Sequence, residues 1–209
     1  MRRIRPHHVF ALVPAGQERV TLDLPRQFVG EPLMLEKALL LALLRISRAR
    51  RIFEFGTYLG STTAMLSLNA PEAELCTLDL LAGVTGSSAV EEDKRLSLSR
   101  APVRKLDGRI QRLLCDSNEF EPTGLGEFDF IWIDGGHDER TVTSDTGNAY
   151  RMRRPGPTSV IAWHDYGNPK YPELTRYLDR VSAAKPLMFV EETLMVVDCQ
   201  VLHEHVARP

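Results

Sequence analysis

Between Arg51 and His164 the chain keeps returning to one unit: a short, continuous apolar run that closes on a polar residue. The runs are Arg51–Phe55, Glu74–Leu80, Ile110–Cys115, Phe128–Asp134 and Ser159–His164. A strand with one wet face alternates apolar and polar residues. These do not alternate, so both of their faces must be covered. Strands covered on both faces and separated by helices imply a parallel sheet, because parallel neighbours need a long crossover. Helices are expected over Ser61–Leu68, Ala89–Ser99, Glu139–Arg153 and Pro172–Ala183. The last two runs, Leu187–Val190 and Thr193–Asp198, are separated only by Glu191-Glu192, which predicts a tight antiparallel hairpin. The fold class is therefore α/β: a doubly wound, mostly parallel seven-stranded sheet with a C-terminal antiparallel hairpin.

A chain of 209 residues suits one well-packed domain. We expect residues 1–30 to form a polar, Pro-punctuated extension with one short strand, and residues 31–209 to form the domain. Over Glu31–Ser47 the leucines recur at helical spacing, with Glu31 and Pro32 suited to the first turn. That helix is apolar almost all round, so it is buried in the domain or against a second subunit, which makes a homo-oligomer plausible. A net charge of −2 gives no electrostatic case for nucleic acid. The arginine groups at 45–51 and 151–154 fall at expected helix C-termini, where cations oppose the macrodipole. Cys76, Cys115 and Cys199 lack metal or redox spacing and read as reduced thiols of a cytoplasmic protein. The start has a basic end but an apolar run broken by Pro14, a poor signal peptide. The longest purely apolar run, Ala38–Leu44, is too short to span a membrane.

In an open α/β sheet the ligand lies beyond the carboxyl ends of the strands. Here those ends carry Glu54, Asp79, Asp116, Asp134 and the pair His164-Asp165. One acid at a strand end is an ordinary helix cap; a succession of them is hard to explain by capping. The first strand runs into E-F-G-T-Y-L-G-S-T, Glu54 to Thr62. Gly56 and Gly60 allow close backbone approach, and the helix opening at Ser61 directs amide N–H groups into the crevice. Tyr58 stands where a dinucleotide motif has its middle glycine, which favours a smaller ligand without a pyrophosphate. Asp79 follows Gly56 by 23 residues, the offset at which such folds place an acid on ribose hydroxyls. Asp116-Ser117 can accept from an exocyclic amine, as adenine would require.

The denser constellation is I-W-I-D-G-G-H, ending in Asp134 to His137, together with W-H-D-Y, Trp163 to Tyr166. Adjacent strands in register bring Asp134, His164 and Asp165 to one crevice. Carboxylates with imidazoles there imply a divalent cation or an acid–base site; oxygen ligation suits magnesium, calcium or manganese, and an added imidazole favours manganese, iron or zinc. His137 lies on the loop beyond Asp134 and can serve as a general base near neutral pH. The competing reading of His137 and His164 is loop histidines that bond to backbone.

The ordered set E-F-G-T-Y-L-G-S-T, F-D-F-I-W-I-D-G-G-H and R-R-P-G-P-T-S-V-I-A-W-H-D-Y resembles class I S-adenosylmethionine-dependent methyltransferases, which have a Rossmann-like fold. The similarity runs from about residue 45 to the C-terminus and is strongest to metal-dependent small-molecule O-methyltransferases of the macrocin type and their cephalosporin-hydroxylase-like relatives. The resemblance implies methyl transfer from S-adenosyl-L-methionine to a hydroxyl of a sugar or natural product. By position it implies that Glu54, Gly56, Tyr58, Gly60 and Ser61 line the methionine end, that Asp79 and Leu80 meet the ribose, and that Asp116 and Ser117 meet the adenine. It also implies that Asp134 and Asp165 bind magnesium or manganese, with His164 beside them and Asp134 bordering the cofactor, and that His137 is the base. Two positions depart from the family: His164 stands where several metal-dependent relatives carry Glu, and Pro157 where a second glycine is common. A hydroxylase-like metal enzyme, a nicotinamide oxidoreductase and a non-catalytic cofactor-binding subunit are the rival readings. Acceptor choice is expected from the N-terminal extension and the loops Gly83–Ser88 and Tyr166–Tyr171, the variable surface of such folds.

Overall fold

The computed structural model describes residues 1–22, 32–80 and 109–207. The expected helix Ala89–Ser99, the Gly83–Ser88 loop and Glu31 lie outside the described residues. In chain order the elements are β1 (Arg2–Ile4), α1 (Pro6–Phe10), α2 (Met34–Ser47), β2 (Arg51–Phe55), α3 (Ser61–Asn69), β3 (Glu74–Asp79) and β4 (Ile110–Leu114). They continue with β5 (Phe130–Ile133), α4 (Glu139–Met152), β6 (Val160–Trp163), α5 (Pro172–Ser182), β7 (Met188–Val190), β8 (Val196–Asp198) and α6 (Gln200–Ala207).

The strands form one sheet in the order β1-β7-β8-β6-β5-β2-β3-β4. Only β8, among the described strands, runs against its neighbours, pairing antiparallel with β6 and β7. The mostly parallel sheet and its antiparallel end agree with the sequence pattern. Among the described residues the sheet has eight strands rather than seven: the short strand expected in the N-terminal extension is Arg2–Ile4, and it joins the sheet, pairing in parallel with Met188–Val190 at the edge. Three residues with one buried position carry too little periodicity to place that strand or its partner; the open edge of β7 recruits them. The N-terminal residues are thereby built into the domain, with Ile4 and Val9 in the core. Helix α6, which contains His203, was also not anticipated and packs Leu202 beneath the sheet.

Alternate residues of each strand feed two cores, as a pleated strand dictates. Ile52, Trp132 and Ala162 face the leucines of α2 together with Met65 and Leu66 of α3. Phe53, Phe55, Ile131 and Ile133 face Val142 and Ala149 of α4 and Leu174 and Leu178 of α5. Leu39, Leu40, Leu41 and Leu43 are fully buried within this one chain, each burial contributing about 2 kcal/mol. The all-round apolarity of α2 is thus consumed inside the protomer, so it gives no argument for a second subunit. The edge strand β4 departs from the expected two-sided burial, with Gln111 and Arg112 exposed. No helix among the described residues is long and apolar enough to cross a membrane.

Candidate active site

Register sets the geometry of the crevice. Gly56 N–H donates to Leu78 O, Asp134 N–H to Phe55 O, His164 N–H to Ile133 O and Cys115 N–H to Asp79 O, all within 2.8–3.1 Å. The polar residues following β4, β3, β2, β5 and β6 consequently stand in a row along one sheet edge. The chain winds from β2 toward β3 in one direction and toward β5 in the other, so the crevice opens at the topological switch point between β2 and β5.

At that point Gly56 lies against the Asp134 backbone. A Cβ built on Gly56 would sit 2.2 Å from Asp134 O, and its φ of +95° is one that side chains rarely adopt. Tyr58 and Gly60 also have positive φ, 46° and 77°, and Gly60 is the N-cap from which Ser61 opens α3. The turn is thus wound tightly, closed by Gly60 N–H donating to Thr57 O at 2.7 Å, and the motif glycines are there for backbone reasons.

Glu54 takes a place different from the expected one. It is fully buried under the turn rather than lining it. Its Oε2 accepts hydrogen bonds from Thr63 of α3 and, at 2.7 Å, from Thr77, its partner across the β2–β3 pair. Burial, together with the charges of Asp134 and Asp79, pushes its pKa up to about 8 against the opposing threonine bonds. Its Oε1 is buried without a hydrogen-bond partner. Thr57 completes the support, its hydroxyl 2.7 Å from that of Thr77. The register pairing Glu54 with Thr77 was the available signal for this network: an acid that faces the core needs donors across the strand pair.

On the far side of the crevice Asp134, His164 and Asp165 come together. One ligand atom from each lies within 4.8 Å of the others. His164 Nδ1 is 3.2 Å from Asp134 Oδ1 and 3.5 Å from Asp165 Oδ2, while Nε2 is 3.1 Å from Glu36 Oε2. Burial pulls the His164 pKa down, but the charge and hydrogen bond of Asp134 and the bonds to Asp165 and Glu36 outweigh it and push it up to about 12. Asp165, with φ of 62°, is bonded by His137 Nε2 at 2.9 Å and by Asn168 Nδ2 at 2.6 Å. Burial alone would raise its pKa; the hydrogen bonds from His137 and His164 prevail and hold the carboxyl well below the usual range. The His137 ring stacks on Tyr171, centroids 3.7 Å apart and planes 8° from parallel. Glu36, Asn168 and Tyr171 are partners that the sequence did not disclose. The signal for Glu36 was an acid inside an otherwise apolar helix, which must be partnered if buried.

Asp79 ends β3, with Leu80 beside it, both half-buried. Asp116 folds back on its own loop, its Oδ1 accepting from Asn118 N–H and Asn118 Nδ2, each at 2.9 Å. Ser117 is half-buried, and its carbonyl accepts from Ser144 of α4. Beneath this loop lies Asp145, fully buried with neither carboxylate oxygen in a hydrogen bond. A Cβ on Gly135 would approach Asp145 Oδ2 to 3.1 Å. Burial pushes the Asp145 pKa up to about 7, aided by the charges of Asp138 and Asp116 and only partly opposed by the Ser117 hydroxyl, which stays outside hydrogen-bond geometry.

An unfolded aspartate titrates near pH 4, so the fold tolerates Asp145 best when neutral. The stability associated with the neutral acid is complete below about pH 4 and is lost as pH rises through about 7. Asp145→Asn is therefore expected to be more stable than the parent at pH 8, by on the order of 2–4 kcal/mol, with the difference shrinking as pH falls. Thermal unfolding across pH reads this; a pH-independent difference would show that Asp145 stays ionised in the fold.

A family model described as a methyltransferase domain matches residues 53–166 of this chain, from β2 to the loop beyond β6. No curated protein matches it in sequence. Among solved structures it is similar to an O-methyltransferase from Bacillus cereus in complex with S-adenosylhomocysteine, at 19% identity, covering 92% of this chain and 87% of that one with a TM-score of 0.54. It is also similar to TomG from Streptomyces achromogenes, an O-methyltransferase of tomaymycin synthesis solved with S-adenosylmethionine, at 18% identity, 92% and 89% coverage and a TM-score of 0.52. The TDP-rhamnose 3'-O-methyltransferase CalS11 of calicheamicin biosynthesis aligns at 14% identity, covering 79% of each chain with a TM-score of 0.58. At these identities the structures speak for a shared fold.

Proposed function

We propose, from the premise that this chain belongs to the methyltransferase domain family, that it transfers the methyl group of S-adenosyl-L-methionine to a hydroxyl of a small molecule, a sugar or natural product. The observation that carries the reading is the crevice itself. The Gly56 turn packed on the Asp134 backbone and the Asp134–His164–Asp165–His137 group face one another at the switch point of the sheet. Three of the solved structures similar in fold are described as O-methyltransferases, two of them with this cofactor or its product. In this reading the turn Gly56–Ser61 receives the methionine end, Asp79 and Leu80 the ribose, and Asp116 with Ser117 the adenine. Glu54 acts from below by holding the turn.

Methyl transfer is an in-line displacement at a sulfonium carbon, so the protein's tasks are to position the acceptor oxygen and to remove its proton. His137 is suited to the second task. Its Nε2 donates to the ionised Asp165, which fixes the ring and leaves Nδ1 to take the acceptor's proton. Tyr171 prevents the ring from turning away. The residues also fit a divalent cation: two carboxylates and one imidazole nitrogen converge, and that nitrogen is aimed between them. Asp134, His164 and Asp165 would hold it, and when bound it would lower the acceptor hydroxyl's pKa and orient it.

Calorimetric titration with S-adenosylhomocysteine tests the reading. Binding in the micromolar range is expected, and a product heavier than the acceptor by one methylene separates methyl transfer from a hydroxylase-like reaction. Asp79→Ala should weaken that binding by more than about 10-fold, the loss of a charged hydrogen-bond acceptor, a much larger effect than its effect on the stability of the unliganded protein. An equal loss of stability without ligand would make Asp79 a structural cap, and failure of the parent to bind would remove methyl transfer.

A further inference from the structure

We propose that Glu36 is a positioning residue for the Asp134–His164–Asp165 centre, holding the His164 ring by Nε2 so that Nδ1 is the nitrogen presented to a cation. The inference rests on the metal-assisted reading above and concerns a residue far outside the strand ends.

Glu36 is 1% exposed and sits on α2, 128 residues from His164. Its Oε2 accepts from Leu33 N–H at 2.7 Å and meets His164 Nε2 at 3.1 Å; its Oε1 accepts from Leu194 N–H at 2.7 Å. An ionised carboxylate can only accept. With two main-chain amides already donating to it, the ring nitrogen that faces it must be the one bearing hydrogen. The opposite tautomer would set an imidazole lone pair against a carboxylate lone pair inside the core, where neither could reach water. A cation that displaced the Nδ1 proton would therefore meet the ring's lone pair between Asp134 Oδ1 and Asp165 Oδ2, with Nε2 still held by Glu36. A carboxylate behind a ligating imidazole both fixes the ring and raises its basicity as a ligand. Glu36 also grips the loop that carries Asp165: Leu194, whose amide it binds, accepts from Tyr166 N–H at 2.9 Å. One buried acid thus orders the ring and the segment after β6 together.

The test is titration of the full chain with Mn2+, followed by the paramagnetic resonance of free ion at fixed pH, for the parent and Glu36→Gln. A glutamine has one acceptor oxygen for three donors, so the ring loses its fixed partner. We expect Mn2+ affinity to fall by about 10- to 100-fold, with S-adenosylhomocysteine affinity unchanged. Unchanged Mn2+ affinity in a folded Glu36→Gln would overturn the role of Glu36 alone. A parent that binds no Mn2+ would overturn the metal reading on which it rests. Should Glu36→Gln fail to fold, nitrogen-15 spectra of the Mg2+-saturated parent decide the matter: hydrogen on Nε2 of His164 supports the proposal, and hydrogen on Nδ1 overturns it.

Discussion

Replacing His137 with alanine is expected to lower turnover by about 100- to 10,000-fold, the range contributed by a positioned general base, while S-adenosylhomocysteine binding stays as in the parent. His137 lies on the acceptor side, bonded to Asp165 and stacked on Tyr171, and it contributes nothing to the Gly56 turn that would receive the cofactor. The ring is 25% exposed, so the space left by its removal opens to solvent and the fold should hold. The stack adds a second reading: Tyr171→Ala should lower turnover less than His137→Ala, because it frees the ring without removing it. Single-turnover kinetics with an identified acceptor would check both. Unchanged turnover in His137→Ala would dismiss it as the base and leave a histidine that merely ties its loop to Asp165.

Gly56→Ala should show the largest structural effect. The new methyl would overlap the Asp134 carbonyl at 2.2 Å, and a φ of +95° strains any side chain. Backbone cannot yield as a flexible side chain does, because Gly56 and Asp134 are each pinned by main-chain bonds to Leu78 and Phe55. A loss of about 3 kcal/mol corresponds to a fall of roughly 10 °C in melting temperature for a domain of this size. The same displacement pushes the turn and Asp134 apart, so S-adenosylhomocysteine affinity should fall with stability. A Gly56→Ala protein that melts and binds like the parent would mean that the turn has slack and that the glycine is there for another reason.

Much of this is legible in the residue pattern alone. The unalternated apolar runs required strands covered on both faces, hence helices on both sides and a parallel sheet; the short final connection required one reversed strand. Polar residues closing those runs had to gather at one edge, because parallel strands share their carboxyl ends. Asp134, His164 and Asp165 were thus brought together by register alone, and Gly56 was marked by the turn it had to make. These are consequences of local periodicity and chain direction, which a sequence carries in full.

What the sequence could not carry is who meets whom across the fold. The short strand expected in the N-terminal extension has no position or partner in the sequence; Arg2–Ile4 takes that part because β7 offers an open edge. Glu54 sits at the strand end as the motif demands, yet pleat and register turn it down to Thr63 and Thr77 rather than out to the crevice. Glu36 reads as one acid in a leucine helix until packing sets it on His164, and only that contact decides which imidazole nitrogen faces the aspartates. Local residue pattern fixes element and edge through short-range sterics and burial. Partnership between side chains far apart in the chain is settled by how helices dock on the sheet, where a buried charge must find its donors or leave the core.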